Sequence, residues 1–370
     1  MELKNTRRRF GAYSLKLAAV STVFATGLTS NAWAQGVSYA GKTIEWVVPF
    51  PTGGGTDVWA RFLAPFLTKY LPGNPTVVIR NVPGGGSITG ANQFAASAKP
   101  DGLSLLGTSG STQFPYLLGD SRVRYDYKTW EVIMAGPTGG AVYISSKYGL
   151  KSAKELSKLQ GQKLVFASQG ATSLDLVPML AFKMLGLDVQ FVFGMKGGGE
   201  KRLAFERGEA TLDFQTTSAY FKSVVPMVES GKAVPLFSWG VLDSNGNLAR
   251  DPAFPDLPHF AEAYQMATGK APSGRDWDAT KAFLIAGIPA NKTLVVPKGT
   301  PPDVVATLRK AFRDMRNDPD YKAGVNKVLG GYEQAIDADA ERVFQLGTNI
   351  DPSAREMVRS HLSTNHNVKF

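Results

Sequence analysis

The chain has 370 residues and a formal charge of +10, is 43% hydrophobic and 19% charged, and contains no cysteine. That balance fits one large or two smaller globular domains. The missing thiols exclude disulfides, thiol catalysis, thiolate metal sites and a lipid anchor on cysteine.

The first segment reads as an export signal. Lys4, Arg7, Arg8 and Arg9 form a positive start, Leu17 to Leu28 an apolar stretch, and Ala32-Trp33-Ala34 a small-x-small cleavage pattern before Gln35. Removing residues 1–34 takes away five basic side chains and one acidic one, leaving a mature charge of about +6. Thr6-Arg7-Arg8-Arg9-Phe10 also resembles a twin-arginine signal, although Gly11 and Ala12 depart from its usual ending. The general secretory route is the first expectation and the twin-arginine route the alternative. No later stretch has the ~20 unbroken apolar residues of a membrane span, so a soluble, monomeric chain is expected. Intact-mass measurement of exported protein should give a chain that begins at Gln35; retention of residues 1–34 would contradict it.

Ile44 to Phe50 is an apolar run of the length of a strand buried on both faces. Trp59, Phe62, Leu63, Phe66, Leu67 and Tyr70 then share one helical stripe. Between them lie Thr52, Gly53, Gly54, Gly55, Thr56 and Asp57. A glycine turn at the start of a helix brings unpaired amides and the positive end of the helix dipole toward an anion. The same stretch reads equally well as a plain connection with Thr56 or Asp57 as N-cap. Val58 replaces the third glycine of G-x-G-x-x-G and no Gly-Lys-Ser/Thr follows, so a carboxylate fits better than a nucleotide. Thr76 to Arg80 is a second short strand running into Pro83-Gly84-Gly85-Gly86-Ser87, and a third strand, Leu103 to Leu106, runs into Gly107-Thr108-Ser109-Gly110-Ser111. In a parallel sheet all three loops share one edge, where ligands of open α/β sheets bind. Ser111 stands where a nucleophile elbow needs glycine, so Thr108 and Ser109 read as hydrogen-bonding groups.

These stretches carry a family resemblance. Pro49-Phe50-Pro51-Thr52-Gly53-Gly54-Gly55-Thr56-Asp57, Asn81-x-Pro83-Gly84-x-Gly86 and Pro100-Asp101-Gly102-x-Ser104-Leu105-Leu106-Gly107-Thr108-Ser109 resemble the Bug-type substrate-binding proteins of tripartite tricarboxylate transporters. Ser168-x-Gly170-x-Thr172-Ser173, Lys196-Gly197-Gly198-Gly199 and Pro297-x-Gly299-Thr300-Pro301 extend the likeness over nearly all of the mature chain. The resemblance implies a periplasmic protein with the two-domain Venus-flytrap fold, each domain a mostly parallel sheet flanked by helices. It also implies closure on a small carboxylate and delivery to membrane carrier subunits.

The rest of the chain fits that expectation. Ser152 to Glu155 has the capping-box pattern, and Lys163 to Ala167 is a strand that ends in Ser168-Gln169-Gly170-Ala171-Thr172. A helix follows from Ser173 to Leu185, with Asp175 at its start as cap or ligand contact. Lys196 is either a contact or simply solvated. Gln215 puts a neutral amide near the place where the family tends to have an acid. The opposing wall, Ser168 to Thr172, Asp175, Met195, Lys196 and Gln215, suits a mono- or dicarboxylate, aromatic or aliphatic, better than citrate. The expected divisions are residues 35–138 with 241–370 and residues 139–240, hinged near Pro137 to Ala141 and Ser238 to Leu242. Thr300 is expected to cap a helix that supports the first domain, Gln265 to Asp278 show no clear period, and His361 and His366 are expected in a frayed end. No metal, cofactor or nucleic-acid partner is expected. The competing classes are a secreted α/β hydrolase or transferase using Ser109 or Asp57, and a ligand sensor on the same fold. Valine at Gly54 or Gly85 is expected to disrupt binding most.

Overall fold

The computed structural model describes residues 36–243, 247–288 and 291–370; the export signal, both readings of its route and its cleavage site lie outside them. The run from Ile44 forms strand β1 (Thr43–Val48), and the glycine loop releases the chain into helix α1 (Gly55–Tyr70). β2 (Thr76–Asn81) leads to α2 (Ile88–Ser97), and β3 (Ser104–Thr108) to α3 (Gly110–Leu118). β4 (Glu131–Gly136) is followed after a short link by β5 (Gly140–Ser145), where the chain changes sheets. β6 (Lys163–Ser168), α4 (Leu176–Met184), β7 (Asp188–Phe193), α5 (Gly198–Glu206) and β8 (Leu212–Thr216) repeat the alternation. The short helices α6 (Thr217–Ala219) and α7 (Val225–Glu229) lead to β9 (Ala233–Ser238). A small hairpin of β10 (Val241–Leu242) and β11 (Leu248–Ala249) precedes α8 (Phe260–Thr268) and α9 (Arg275–Gly287). β12 (Lys292–Val296), α10 (Pro302–Met315), α11 (Pro319–Leu329), β13 (Ala335–Ile336), α12 (Ala338–Thr348) and α13 (Pro352–His366) complete the chain.

The fold is α/β with two helix-flanked sheets, ordered β13-β4-β12-β3-β1-β2 and β7-β6-β8-β5-β9. β1 is parallel to β2 and β3, with Trp46 opposite Ile79 and Leu105; β6 is parallel to β7 and β8. β12 is antiparallel to β3 and β4, and β5 to β8 and β9, so each sheet is mixed. A helical crossover returns a strand parallel to its predecessor, whereas a strand arriving from the other sheet carries no such constraint. The parallel strands carry the glycine loops at one edge.

Trp46 and Trp59 meet edge to face at 5.3 Å, and Trp46 meets Phe312 of α10 at 6.3 Å. In α1, Trp59, Leu63, Phe66 and Leu67 are buried as the stripe requires, while Phe62 and Tyr70 sit at its margin and turn to α11. Phe62 lies 5.9 Å from Tyr321, and Tyr70 donates to Asp318 over 2.7 Å. Asp318 also caps α11 by accepting from Asp320 and Tyr321 amides, and takes Lys69 at 2.6 Å.

Several local expectations change. Glu155 accepts from the Lys151 amide and Ser152 makes no cap, so the segment winds as a 3-10 helix, Ala153–Leu159. Thr300 turns back to the Pro297 carbonyl over 2.8 Å, and α10 starts at Pro302 without a side-chain cap. The unread stretch around 265–278 holds the end of α8 and the start of α9; α8 opens on a capping box in which His259 and Glu262 bond each other's amides, a pairing that the usual Ser/Thr pattern does not reveal. The C-terminal part does not serve the first sheet alone. Ala354, Val358 and Leu362 of α13 enter the core that holds Phe166, Phe182, Phe237 and Trp239 of the second sheet and α4. The C-terminal histidines are not frayed: His366 closes α13 and packs on Phe191 at 5.5 Å and Phe193 at 5.7 Å, with His361 5.5 Å away.

Candidate functional site

The first glycine loop is clamped from behind. Asp57 accepts from the Gly53 amide, from Arg61 and from Asn81, each over 2.9 Å, and Asn81 also donates to the Phe50 carbonyl over 2.9 Å. Thr52 is exposed and donates to Asn81 over 3.3 Å. Asp57 and Thr52 therefore hold the loop's shape and do not line the cavity in front of it. The N-cap of α1 is Gly54 rather than Thr56 or Asp57, and no side chain caps it. The first-turn amides are left without side-chain acceptors, and this end of the helix carries the positive end of its dipole.

A narrow cavity of about 40 Å³ begins at that terminus. Gly54, Gly55, Thr56, Ser109 and Ser111 form one wall, and Gln169, Asp175, Lys201, Gln215 and Thr216 the other, with Lys292 beside Thr56. The walls approach closely: a Cβ on Gly55 would lie 2.0 Å from Thr216 Oγ1, and one on Gly197 would lie 2.6 Å from Pro51 Cδ. The two walls touch here.

The expected residues fall into three groups. Gly54, Gly55, Thr56, Ser109, Asp175 and Gln215 line the cavity. Gly86, Gly170 and Lys196 line a second, wider depression of about 550 Å³ beside it, together with Arg122 and Lys369. Gln169 faces both. Gly84, Ser87, Thr108, Ser168 and Thr172 line neither and support the loops instead. Gly84 (φ 139°) and Ser87 (φ 101°) shape the second loop, and Ser87 donates to Thr112 over 3.1 Å. Thr108 bonds Tyr127 at 2.7 Å, Ser168 donates to Asp175 over 3.1 Å, and Thr172 donates to Asp120 over 2.8 Å. Ser109 accepts from the Ser111 amide over 3.2 Å as the N-cap of α3, and none of the three histidines lines the cavity.

The second wall is built on a buried charge cluster. Asp175 occupies the cap position of α4 but does not cap it; its carboxylate takes Lys201, the Ser168 hydroxyl and the Gln169 amide. Lys201 is 1% exposed, lies 3.6 Å from Asp213, and stands over the Phe166 ring at 4.7 Å. Burial raises the Asp213 carboxyl above the ordinary range even though Lys201, Gln215 and Tyr143 pull it down. The Gln215 amide group is spent on Asp213 (2.8 Å) and the Gly198 carbonyl (2.7 Å). Lys196 is exposed, in keeping with the solvated reading.

Among the cavity residues that escaped the sequence reading are two buried lysines. Lys201 sits on the inner face of α5, and Lys292 opens the strand Lys292–Val296, all five residues of which are buried. The available signal was a lone lysine at the head of an apolar run. Lys292 is 3% exposed, and its Nζ donates to Thr56 Oγ1 over 3.0 Å. With no carboxylate beside it among the described residues, burial pushes its ammonium down to about 7.

The chain is 29% identical over 332 residues to a UPF0065 protein of Cupriavidus necator from the gbd 5′ region, covering 87% of this chain and 88% of that one. It is also 29% identical over 308 residues to BugT of Bordetella pertussis, covering 81% and 84%. In sequence and in fold, the chain is similar to the Bug-type proteins. No family model matches it. Its fold matches that of the periplasmic binding protein BugD, at a TM-score of 0.67 and 24% identity over 88% of this chain and 98% of BugD. MatC of Rhodopseudomonas palustris, solved with malate, aligns at a TM-score of 0.61 and 20% identity over 88% and 98%. A second R. palustris protein, solved with adipate, aligns at 0.65 and 20% over 86% and 96%. The Bug-type fold thus places glycine loops of one sheet and the Asp175–Lys201 cluster of the other on facing walls.

Proposed function

We propose that this protein is an extracytoplasmic, periplasmic solute-binding protein that captures a small mono- or dicarboxylate between its two lobes and passes it to the membrane subunits of a tripartite tricarboxylate-type carrier. The observation that carries this reading is the uncapped N-terminus of α1, which opens into a cavity whose other wall belongs to the second sheet. The malate and adipate of two structurally similar proteins support the ligand class, and the Bug kinship supports the carrier. The lobes in this reading are residues 35–138 with 241–370 and residues 139–240, with α13 of the first packed on the core of the second, and they turn on the segments 137–141 and 238–242 where the chain crosses between sheets.

A thermal-shift screen of succinate, adipate, malate, benzoate and citrate tests this. At least one should raise the melting temperature; a ligand at 100 times its dissociation constant adds about 2.7 kcal/mol to stability. Esters of the same acids should not be turned over, and small-angle scattering should show a smaller radius of gyration with the stabilising acid than without it. Stabilisation by none of the acids, or steady hydrolysis of an ester, would replace this reading with another.

A further inference from the structure

We propose that Lys292 is the charge partner of the bound carboxylate, its Nζ forming an ion pair with the anion that the N-terminus of α1 receives. The inference deepens the carboxylate-binding reading and rests on it. Lys292 and Lys201 line the same cavity and are both almost fully buried, but their surroundings differ. Lys201 is neutralised by Asp175 and Asp213. Lys292 makes no ion pair among the described residues; its Nζ donates to the neutral Thr56 hydroxyl.

The charged groups on the surrounding elements are already engaged. On α1, Asp57 is spent on Gly53, Arg61 and Asn81, and on the second wall Asp175 and Asp213 are spent on Lys201, Tyr143 and Gln215. On β4, the neighbour of Lys292 is Gly136, and on β8 the group nearest the loop is the Thr216 hydroxyl. Near the sheet crossing, Asp251 accepts from Tyr332 over 2.6 Å.

A buried ammonium without a counter-ion is costly, and the cost falls when an anion arrives. The position suits that role. A Cβ on Gly55 would lie 3.8 Å from Lys292 Nζ, so the ammonium stands beside the first-turn amides. Thr56 Oγ1 accepts from Lys292 and keeps its own proton to donate. Ammonium, hydroxyl and helix amides converge on one end of an anion, which no glycine-loop reading alone provides.

This role has a signature that a structural lysine lacks. With its ammonium pushed down to about 7, ligand-free Lys292 is mostly neutral at pH 8, and pairing with a carboxylate draws a proton from the buffer. Titration calorimetry of the full mature protein at pH 8, with succinate and benzoate first and then the rest of the panel, is run in phosphate and in Tris. The binding enthalpy should differ between buffers by an amount equal to net uptake of up to one proton per ligand, and the difference should shrink as the pH falls through about 7. Lys292→Met should fold, with a melting temperature equal to or above wild type in the absence of ligand, because it removes a buried amine whose ionisation burial opposes. It should bind about 10- to 100-fold more weakly, with no proton uptake. A wild type that binds a carboxylate while Lys292→Met binds within twofold and shows the same buffer dependence overturns this inference alone. A wild type that binds no acid of the panel overturns the carboxylate reading and this inference with it.

Discussion

Gly55→Ala should weaken carboxylate binding by about 5- to 150-fold, the range that 1–3 kcal/mol of overpacking produces. Gly55 has ordinary helical geometry, so alanine meets no backbone strain; the obstacle is Thr216 Oγ1 on the facing wall, 2.0 Å from where the new Cβ would sit. The clash exists only while the walls touch. The variant should therefore keep the unfolding midpoint of the ligand-free protein and lose affinity through the closed form alone. Thr216→Ala by itself should be nearly neutral, and the double variant should recover most of the lost affinity, a coupling that a double-mutant cycle reads directly. Gly55→Ala that binds like wild type, measured by calorimetry, would show that closure does not bring these residues together. The earlier expectation at Gly54 shifts accordingly: a Cβ there would meet only the Pro51 carbonyl, at 3.6 Å, whereas Gly85, at φ 57°, does resist valine through its backbone.

Lys201→Met should cost about 3–5 kcal/mol of folding stability, because it leaves Asp175 and Asp213 buried without their cation. The loss of the ammonium over Phe166 and Phe214 adds to it. Replacing both carboxylates as well, in Lys201→Met/Asp175→Asn/Asp213→Asn, should recover much of the stability, since no charge is then stranded. Urea unfolding of the three proteins measures this, and a Lys201→Met protein as stable as wild type would refute it. Asp213 adds a pH dependence whose sign follows from its raised carboxyl. The folded chain holds that proton more tightly than the unfolded chain, so wild type loses stability as pH rises from the ordinary carboxylate value of 3.8 through the raised folded one. Asp213→Asn should remove that slope above pH 3.8.

The glycine loops were legible because their signals are local. An apolar β-branched run, a glycine turn and a 3.6-period stripe lie within thirty residues of one another in Thr43 to Tyr70, and chain stiffness alone then dictates strand, turn and helix. Local patterning misled where a side chain had two partners to choose from. Asp57 and Asp175 both stand where a cap is expected, yet Asp57 clamps the loop through Asn81, and Asp175 takes Lys201 from a helix 26 residues away. The mixed pairing of the sheets was hidden for a related reason. The period of a strand shows that it is buried but not which way its neighbour runs.

Local patterning thus accounted for the α/β class, the loops at the sheet edge and the Bug-type likeness, all of which depend on residues close in sequence. Assembly alone decided which loop atoms face the cavity. Lys292 is 236 residues from Thr56, and it is folding of the antiparallel strand β12 between β3 and β4 that brings the two within a hydrogen bond. A lysine at the head of an apolar run looks like a solvated end; only the burial of that run between two other strands turns it into a buried amine on a cavity wall.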